Sequence, residues 1–291
     1  MTMNMPARQD NITTDMAQLC LALREKITRH DVELPLLPEV ANQALSLSQD
    51  SKVDAAGLAR LIYRDQALAG HLIRIANSPA YLPKTKIVSL QQAVARLGLP
   101  TIAEISMAMV LKGRLFRIKG HEALVSGLCR HAFATGIWAK EIARMLRYNV
   151  ESAFLCGLLH EIGKPVVLHE ASTLASVMGV DLDEEEFVSL MQEFYIPVGV
   201  MLAEQWQLPG PVAGVIRFHD DYQKVTAFAR EAMIVHYAHE FATALLARDE
   251  QAAHRLRGLA VVADLNLYPD DVSVLLEKVD SVLETVETMS R

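Results

Sequence analysis

The sequence predicts an all-α fold, and three observations carry that reading. Apolar residues recur at helical spacing, as in Met16, Leu19, Leu23 and Ile27. Turn and capping signals such as Pro35, Pro38, Asn77-Ser78-Pro79, Ser89 and Gly98 punctuate those runs. No stretch alternates apolar and polar residues cleanly, and aromatic residues make up only 6% of a chain rich in Ala, Leu and Val.

Taken in order, the first fifteen residues are polar and are expected to fray. A helix then covers Asp15 to His30. Pro35 and Pro38 break it, and Pro38 is placed to open the next helix, with Val40, Ala44 and Leu47 on one face. Asp54 can cap "DAAGLARLIYRD". A further helix runs from Gln66 to Ala76 and stops at "NSPAYLP". Ser89 caps "SLQQAVARLG" and Gly98 ends it. "LPTIAEISMAMVLKGRLF" is helical with a broad apolar face, its methionines expected in the core.

A long helical stretch follows from His121 to Arg147, interrupted by Gly127 and Gly136. Next come "ESAFLCGLLHEIGK" and the run after Pro165. Five acids in residues 181–186 mark the solvated start of a helix, capped by Asp181 or Asp183. "QLPGPVAGVIRFHD" turns helical after its prolines. The tail from Val225 to Met289 reads as three helices, broken near Asp249 and Pro269. The total is about a dozen helices.

Composition excludes several classes of function. The 291 residues carry 28 basic and 35 acidic side chains, a net charge of −7. Such a surface repels a phosphate backbone at long range, so nucleic acid is not an expected partner. The N-terminus lacks the apolar core of a signal peptide, and no run reaches the ~18 apolar residues of a membrane span. The cysteines Cys20, Cys129 and Cys156 form no CxxC pair, which fits reduced thiols in a cytoplasmic protein. There is no GxGxxG, no P-loop and no internal repeat.

The chemistry concentrates in "GLLHEIGKPVVLHE", residues 157–170. His160 is followed directly by Glu161. On a regular helix such neighbours diverge by about 100°, so they share an ion only if it sits beside the helix. The Gly163-Lys164-Pro165 break would leave room for it. His131, on the preceding long helix, could add an imidazole, and such a set suits a metal site. The competing expectations are plain: Glu161 as an ion-pair partner of Lys164 or an arginine, and His131 and His160 bonded to backbone or water. Cys156, four residues before His160, could be a soft ligand but is expected as buried apolar filling.

The segments "LPLLPEVANQALSL", "LARLIYRDQALAGHLIRIANSPAY" and "IVSLQQAVARLGLPTI", followed by "RHAFATGIWAKEIA", "AFLCGLLHEIGK" and "VGVMLAEQWQLPGPVAGVIRFHD", resemble in order the HDOD domain, the HD-related output domain of bacterial signalling proteins. The resemblance spans roughly residues 29 to 240. It implies an HD-like helical bundle with two parts, an N-terminal subdomain at 15–118 and an HD-like subdomain at 119–291. Active relatives in the wider HD superfamily are metal-dependent phosphohydrolases. Carried over, their ligand positions fall on His131, His160, Glu161 and His239, and further positions fall on Tyr195, Phe218 and His219.

Phe218 has no lone pair and Tyr195 is a weak donor unless ionised, so a dinuclear centre is not expected. Tyr195 and Phe218 are expected to fill the vacated pocket, with His219 and His239 at its rim. The resemblance therefore implies a non-catalytic signalling output or adaptor protein, working with a sensor kinase, receiver or cyclic-dinucleotide enzyme as a response-regulator-like module. With no receiver or GGDEF segment in the chain, its input is expected to arrive by binding. No cofactor is expected, one iron, manganese or zinc ion being the alternative. Two other readings stay open: a residual phosphohydrolase using His131, His160 and Glu161, and a nucleotide receptor without chemistry.

Overall fold

The computed structural model describes residues 7–49, 55–78, 81, 86–114 and 117–290. Sixteen α-helices and one 3₁₀ helix lie among them, and no strand does. The Asp54 cap and Pro79 fall outside the described residues.

Helix α1 covers Ala7–Thr28. It begins well before Asp15, because ordinary polar residues cost a helix only a few tenths of a kcal/mol each. Helices α2 (Glu39–Gln49), α3 (Ala55–Arg64), α4 (Gln66–Ala76), α5 (Leu90–Leu97) and α6 (Leu99–Arg114) pack together on Leu45, Leu58, Ile62, Leu72, Ile75 and Ile102. Met107 joins that core. Asp65 caps α4 and Ser89 caps α5. Gly98 closes α5 at φ 78°, a backbone that favours glycine. Asn77 ends α4 and ties the following loop closed, exchanging bonds of 2.7 and 2.8 Å with the backbone of Ile87.

The remaining helices surround α7 (Glu122–Met145). Neither Gly127 nor Gly136 interrupts it. Gly136 instead lets α8 (Val150–Leu159) press close: a Cβ on Gly157 of α8 would stand 2.7 Å from the Thr135 carbonyl and 2.9 Å from Gly136 Cα. Helices α9 (Gly163–Met178) and α10 (Glu184–Gln205) run on from there, α10 opening with a full capping box on Asp183 and Glu186. Then come α11 (Gly210–Phe218), the 3₁₀ helix His219–Lys224 and α12 (Ala229–Leu246). Trp138 of α7 stacks on Phe241 of α12 at 4.4 Å between ring centres.

The tail after α12 forms four helices, not two: α13 (Ala252–Arg257), α14 (Ala260–Asp264), α15 (Pro269–Leu276) and α16 (Val279–Ser290). Several helix ends are made without glycine. His30, Arg147, Gln207, Arg248 and Asn266 all take left-handed backbone angles, φ 52–56°. Each is followed by a residue whose N–H reaches back five positions, as Tyr148 does to Ala143 at 2.8 Å.

Helix α1 leaves the first cluster and lies on α9 and α10. Buried Glu170 of α9 holds it, accepting from Lys26 Nζ at 2.5 Å and from the Glu33 N–H at 3.0 Å. Across the other junction, Lys140 of α7 donates to Glu104 of α6 at 2.5 Å.

Candidate metal centre

The break in "LLHEIGK" comes before Gly163, not after it. Helix α8 stops at Leu159, residues 160–162 form a turn, and α9 starts at Gly163. Gly163 leaves no room for a ligand. A Cβ there would fall 2.0 Å from the Tyr195 carbonyl and 2.7 Å from the Gly199 nitrogen, so the glycine allows α9 to abut α10. The turn has a further consequence. His160 and Glu161 sit where the regular helix has ended, and both side chains reach one point.

Two other helices supply the remaining donors at that point, His131 from α7 and His239 from α12. One donor atom from each of His131, His160, Glu161 and His239 lies within 4.8 Å of all the others. His239 Nδ1 is 3.1 Å from His131 Nε2 and 3.1 Å from His160 Nε2. Glu161 carboxylate oxygens stand 3.8 Å from His131 Nε2, 3.9 Å from His160 Nε2 and 3.9 Å from His239 Nδ1. Two ligands about 2.1 Å from one ion at a tetrahedral angle are about 3.4 Å apart. The observed separations bracket that value.

The proton inventory points the same way. His160 donates from Nδ1 to the Gly157 carbonyl at 2.7 Å, which leaves a lone pair on Nε2. His239 Nδ1 then faces two imidazole nitrogens. With all three rings neutral, one proton at most serves the two short contacts linearly. The other contact sets lone pair against lone pair, an arrangement that a shared cation relieves.

Burial keeps these rings neutral. It pushes His131 down to about 4, against the opposing pull of Glu161, and holds His160 well below its ordinary range. His239 is lowered for the same reason. Neutral imidazole is the form that binds metal. Burial pushes Glu161 up, but the Lys164 ammonium beside it holds the carboxyl below its usual range. Lys164 Nζ donates to Glu161 at 2.5 Å, so Glu161 is both the expected ion-pair partner and a member of the cluster.

Beside this group lies a second, built from Tyr195, His219 and Asp220. His219 is not at the rim: it is 1% exposed, its ring 4.8 Å from that of His160. Its Nε2 donates to Asp220 at 3.2 Å and its Nδ1 lies 3.2 Å from the Val215 carbonyl, so a single ring proton serves only one of these two acceptors. The Tyr195 hydroxyl donates to the other Asp220 oxygen, and Lys164 Nζ lies 5.1 Å from the Tyr195 ring centre. The hydrogen bond to His219 holds Asp220 well below the ordinary carboxylate range, while burial and Asp220 push the Tyr195 hydroxyl up.

Tyr195 does fill the pocket, but Phe218 does not. It ends α11 on the other side of His219 and lines a separate groove with Val200, Gly214 and Phe228. Here the chain passes from α11 into the 3₁₀ helix with Phe218 and His219 on different faces. Cys156 is wholly buried, its thiol pushed up to about 12 by burial, and stands outside the cluster as apolar filling. His239 keeps a half-open position, with 23% of its side chain exposed. Sequence reading missed Asp220 and Thr135, whose hydroxyl is 3.4 Å from His131 Nε2. The adjacent His219-Asp220 pair was the available signal for the first; nothing marked the second.

Among the described residues no single helix is long and apolar enough to cross a membrane. Comparison with known proteins agrees with the fold. A Shewanella amazonensis protein, provisionally named a metal-dependent phosphohydrolase, superposes with a TM-score of 0.72 at 22% identity, over 95% of this chain and 98% of its own. An HDOD domain protein of unknown function from Geobacter sulfurreducens gives 0.71 at 22% identity, over 94% and 97%. At such identities the likeness is one of fold. An uncharacterised Treponema pallidum protein is 25% identical over 221 residues, 73% of this chain; the chain spans only 42% of that relative's length. Residues 34–222 match the HDOD domain itself. With most of its length matched and its helices arranged as in solved members, the chain belongs to the HDOD family.

Proposed function

We propose that this chain is a cytoplasmic signalling output or adaptor module whose HD cleft holds one divalent ion without turning over substrate. The reading rests on one observation, the convergence of four protein donors, His131, His160, Glu161 and His239. Zinc sites with four protein ligands are structural, whereas catalytic sites keep a position open for water or substrate. A bound ion would supply charge that ties α7, α8 and α12 together. The neighbouring group adds no second set of metal donors, since Tyr195 and Asp220 engage each other.

In this reading residues 15–118 and 119–291 act as two subdomains. A partner such as a sensor kinase, receiver or cyclic-dinucleotide enzyme shifts the packing between them. The Glu104–Lys140 and Lys26–Glu170 pairs are the contacts such a shift would strain.

A second reading, a residual phosphohydrolase, draws support from Lys164, His219 and Asp220 standing beside the cluster. One experiment separates the two. The full chain is purified without chelator, its metal measured, and its activity assayed on a generic phosphodiester and on cyclic dinucleotides. The proposal expects about one iron, manganese or zinc ion per chain and no turnover. Absence of metal removes the ion from the reading. Turnover that His160→Ala abolishes replaces the adaptor with an enzyme.

A further inference from the structure

Away from the cleft, a cavity of about 370 Å³ opens between α6, the segment 117–121, the first turns of α7 and the end of α16. Its sequence signature is "KGRLFRIK", residues 112–119, with four basic side chains and no acid in a chain of net charge −7. Three of those cations, Lys112, Arg117 and Lys119, line the cavity.

Among the described residues of the lining Glu122 is the one carboxylate; it accepts the Gly120 N–H at 3.1 Å, and backbone N–H groups hold its carboxyl below the usual range. Among the described residues, Lys112 Nζ donates to neutral acceptors, the carbonyls of Ser290 at 2.6 Å and Met289 at 3.5 Å. Burial, with Arg74 nearby, pushes its ammonium down. The Ser290 hydroxyl is buried at the same wall with no partner among the described residues. Arg74 of α4, near Lys112, adds to the positive field, while burial holds the neighbouring His71 ring neutral. Ile118 and Val125 give the same lining an apolar part.

We propose that this cavity binds a small phosphorylated organic anion, its phosphate among Lys112, Arg117 and Lys119 and its apolar body against Ile118 and Val125. The volume is that of a small-ligand pocket. A half-buried lysine flanked by two exposed cations favours a phosphate, which brings several strong acceptors at once. Helix α16 lies beyond the residues matched to the family, so this site is not built from the family segment alone. It is also separate from the His–Glu cluster, and its test does not depend on the ion.

Calorimetric titration of the full chain, in excess chelator, with adenosine 5′-monophosphate and with inorganic phosphate supplies the test. The expected result is binding of the nucleotide, weaker binding of phosphate, and loss of affinity as salt is raised. Lys112→Gln with Lys119→Gln should weaken nucleotide binding at least ten-fold, and His160→Ala should leave it unchanged. Should the double variant fail to fold, Arg117→Gln, at an exposed position, serves in its place. No nucleotide binding by the wild-type chain overturns the proposal. So does equal binding by folded Lys112→Gln/Lys119→Gln or Arg117→Gln, or loss of binding in His160→Ala.

Discussion

Two groups of polar side chains share the cleft, and they satisfy themselves in opposite ways. His131, His160, Glu161 and His239 turn lone pairs toward one point, with too few protons to bond one another. Tyr195, His219 and Asp220, in contact with them, close into a hydrogen-bonded set in which hydroxyl and imidazole share one carboxylate. The first group is arranged as a cation's ligands would be; the second is tied together by its own hydrogen bonds. An HD-like cleft can thus change by substitution in two physically distinct directions. Of the carried-over ligand positions, His239 offers a metal donor, whereas Tyr195 offers a hydrogen-bonding hydroxyl.

The largest effect expected from testing this contrast concerns Lys164. It and Glu161 are both buried, and among the described residues the lysine is the one permanent cation bonded to that carboxylate. Lys164→Met leaves a buried carboxylate facing only neutral imidazoles, a cost of about 3 kcal/mol in the metal-free chain. An ion at the cluster supplies the missing charge. Denaturant unfolding should therefore show a large loss in chelator and a much smaller one in saturating zinc. Equal losses in both would mean that no ion comes close enough to Glu161 to matter.

Slightly smaller is the effect of the ion itself. Zinc or manganese at 100 times its dissociation constant should stabilise the wild-type chain by about 2.7 kcal/mol, read as a shift in denaturant midpoint. His160→Ala should abolish that shift. His219→Ala should keep it, although both rings are buried and 4.8 Å apart. If both variants lose the shift, the two groups act as one site and the contrast fails.

Much of this was legible in the sequence, for identifiable reasons. Caps at Ser89, Gly98 and Asp183 are local bonds between near neighbours, so the residue types reveal them. His131, His160, Glu161 and His239 were nameable because the segments around them match a family pattern. The helix ends at Arg147, Gln207 and Asn266 were harder to read, because a non-glycine residue there takes the left-handed angle that glycine usually signals. The roles of Gly136, Gly157 and Gly163 were hidden too. They depend on which helix backbone lies opposite, a long-range fact that composition does not carry. Phe218 was misplaced for a related reason: adjacency to His219 in sequence says nothing of which face each takes where α11 gives way to the 3₁₀ helix.

The smallest effect belongs to the self-sufficient group. Tyr195→Phe removes the hydroxyl that donates to Asp220 and leaves the ring in place against His219. Asp220 keeps His219 as a partner and its side chain is 52% exposed, so water can replace the lost donor. The cost should be near 1 kcal/mol, that of one ordinary hydrogen bond. Metal content should not change, since Tyr195 contributes no atom to the cluster. A fall in bound metal on this substitution would place the tyrosine oxygen among the ligands. The boundary between the two groups would then have to be drawn elsewhere.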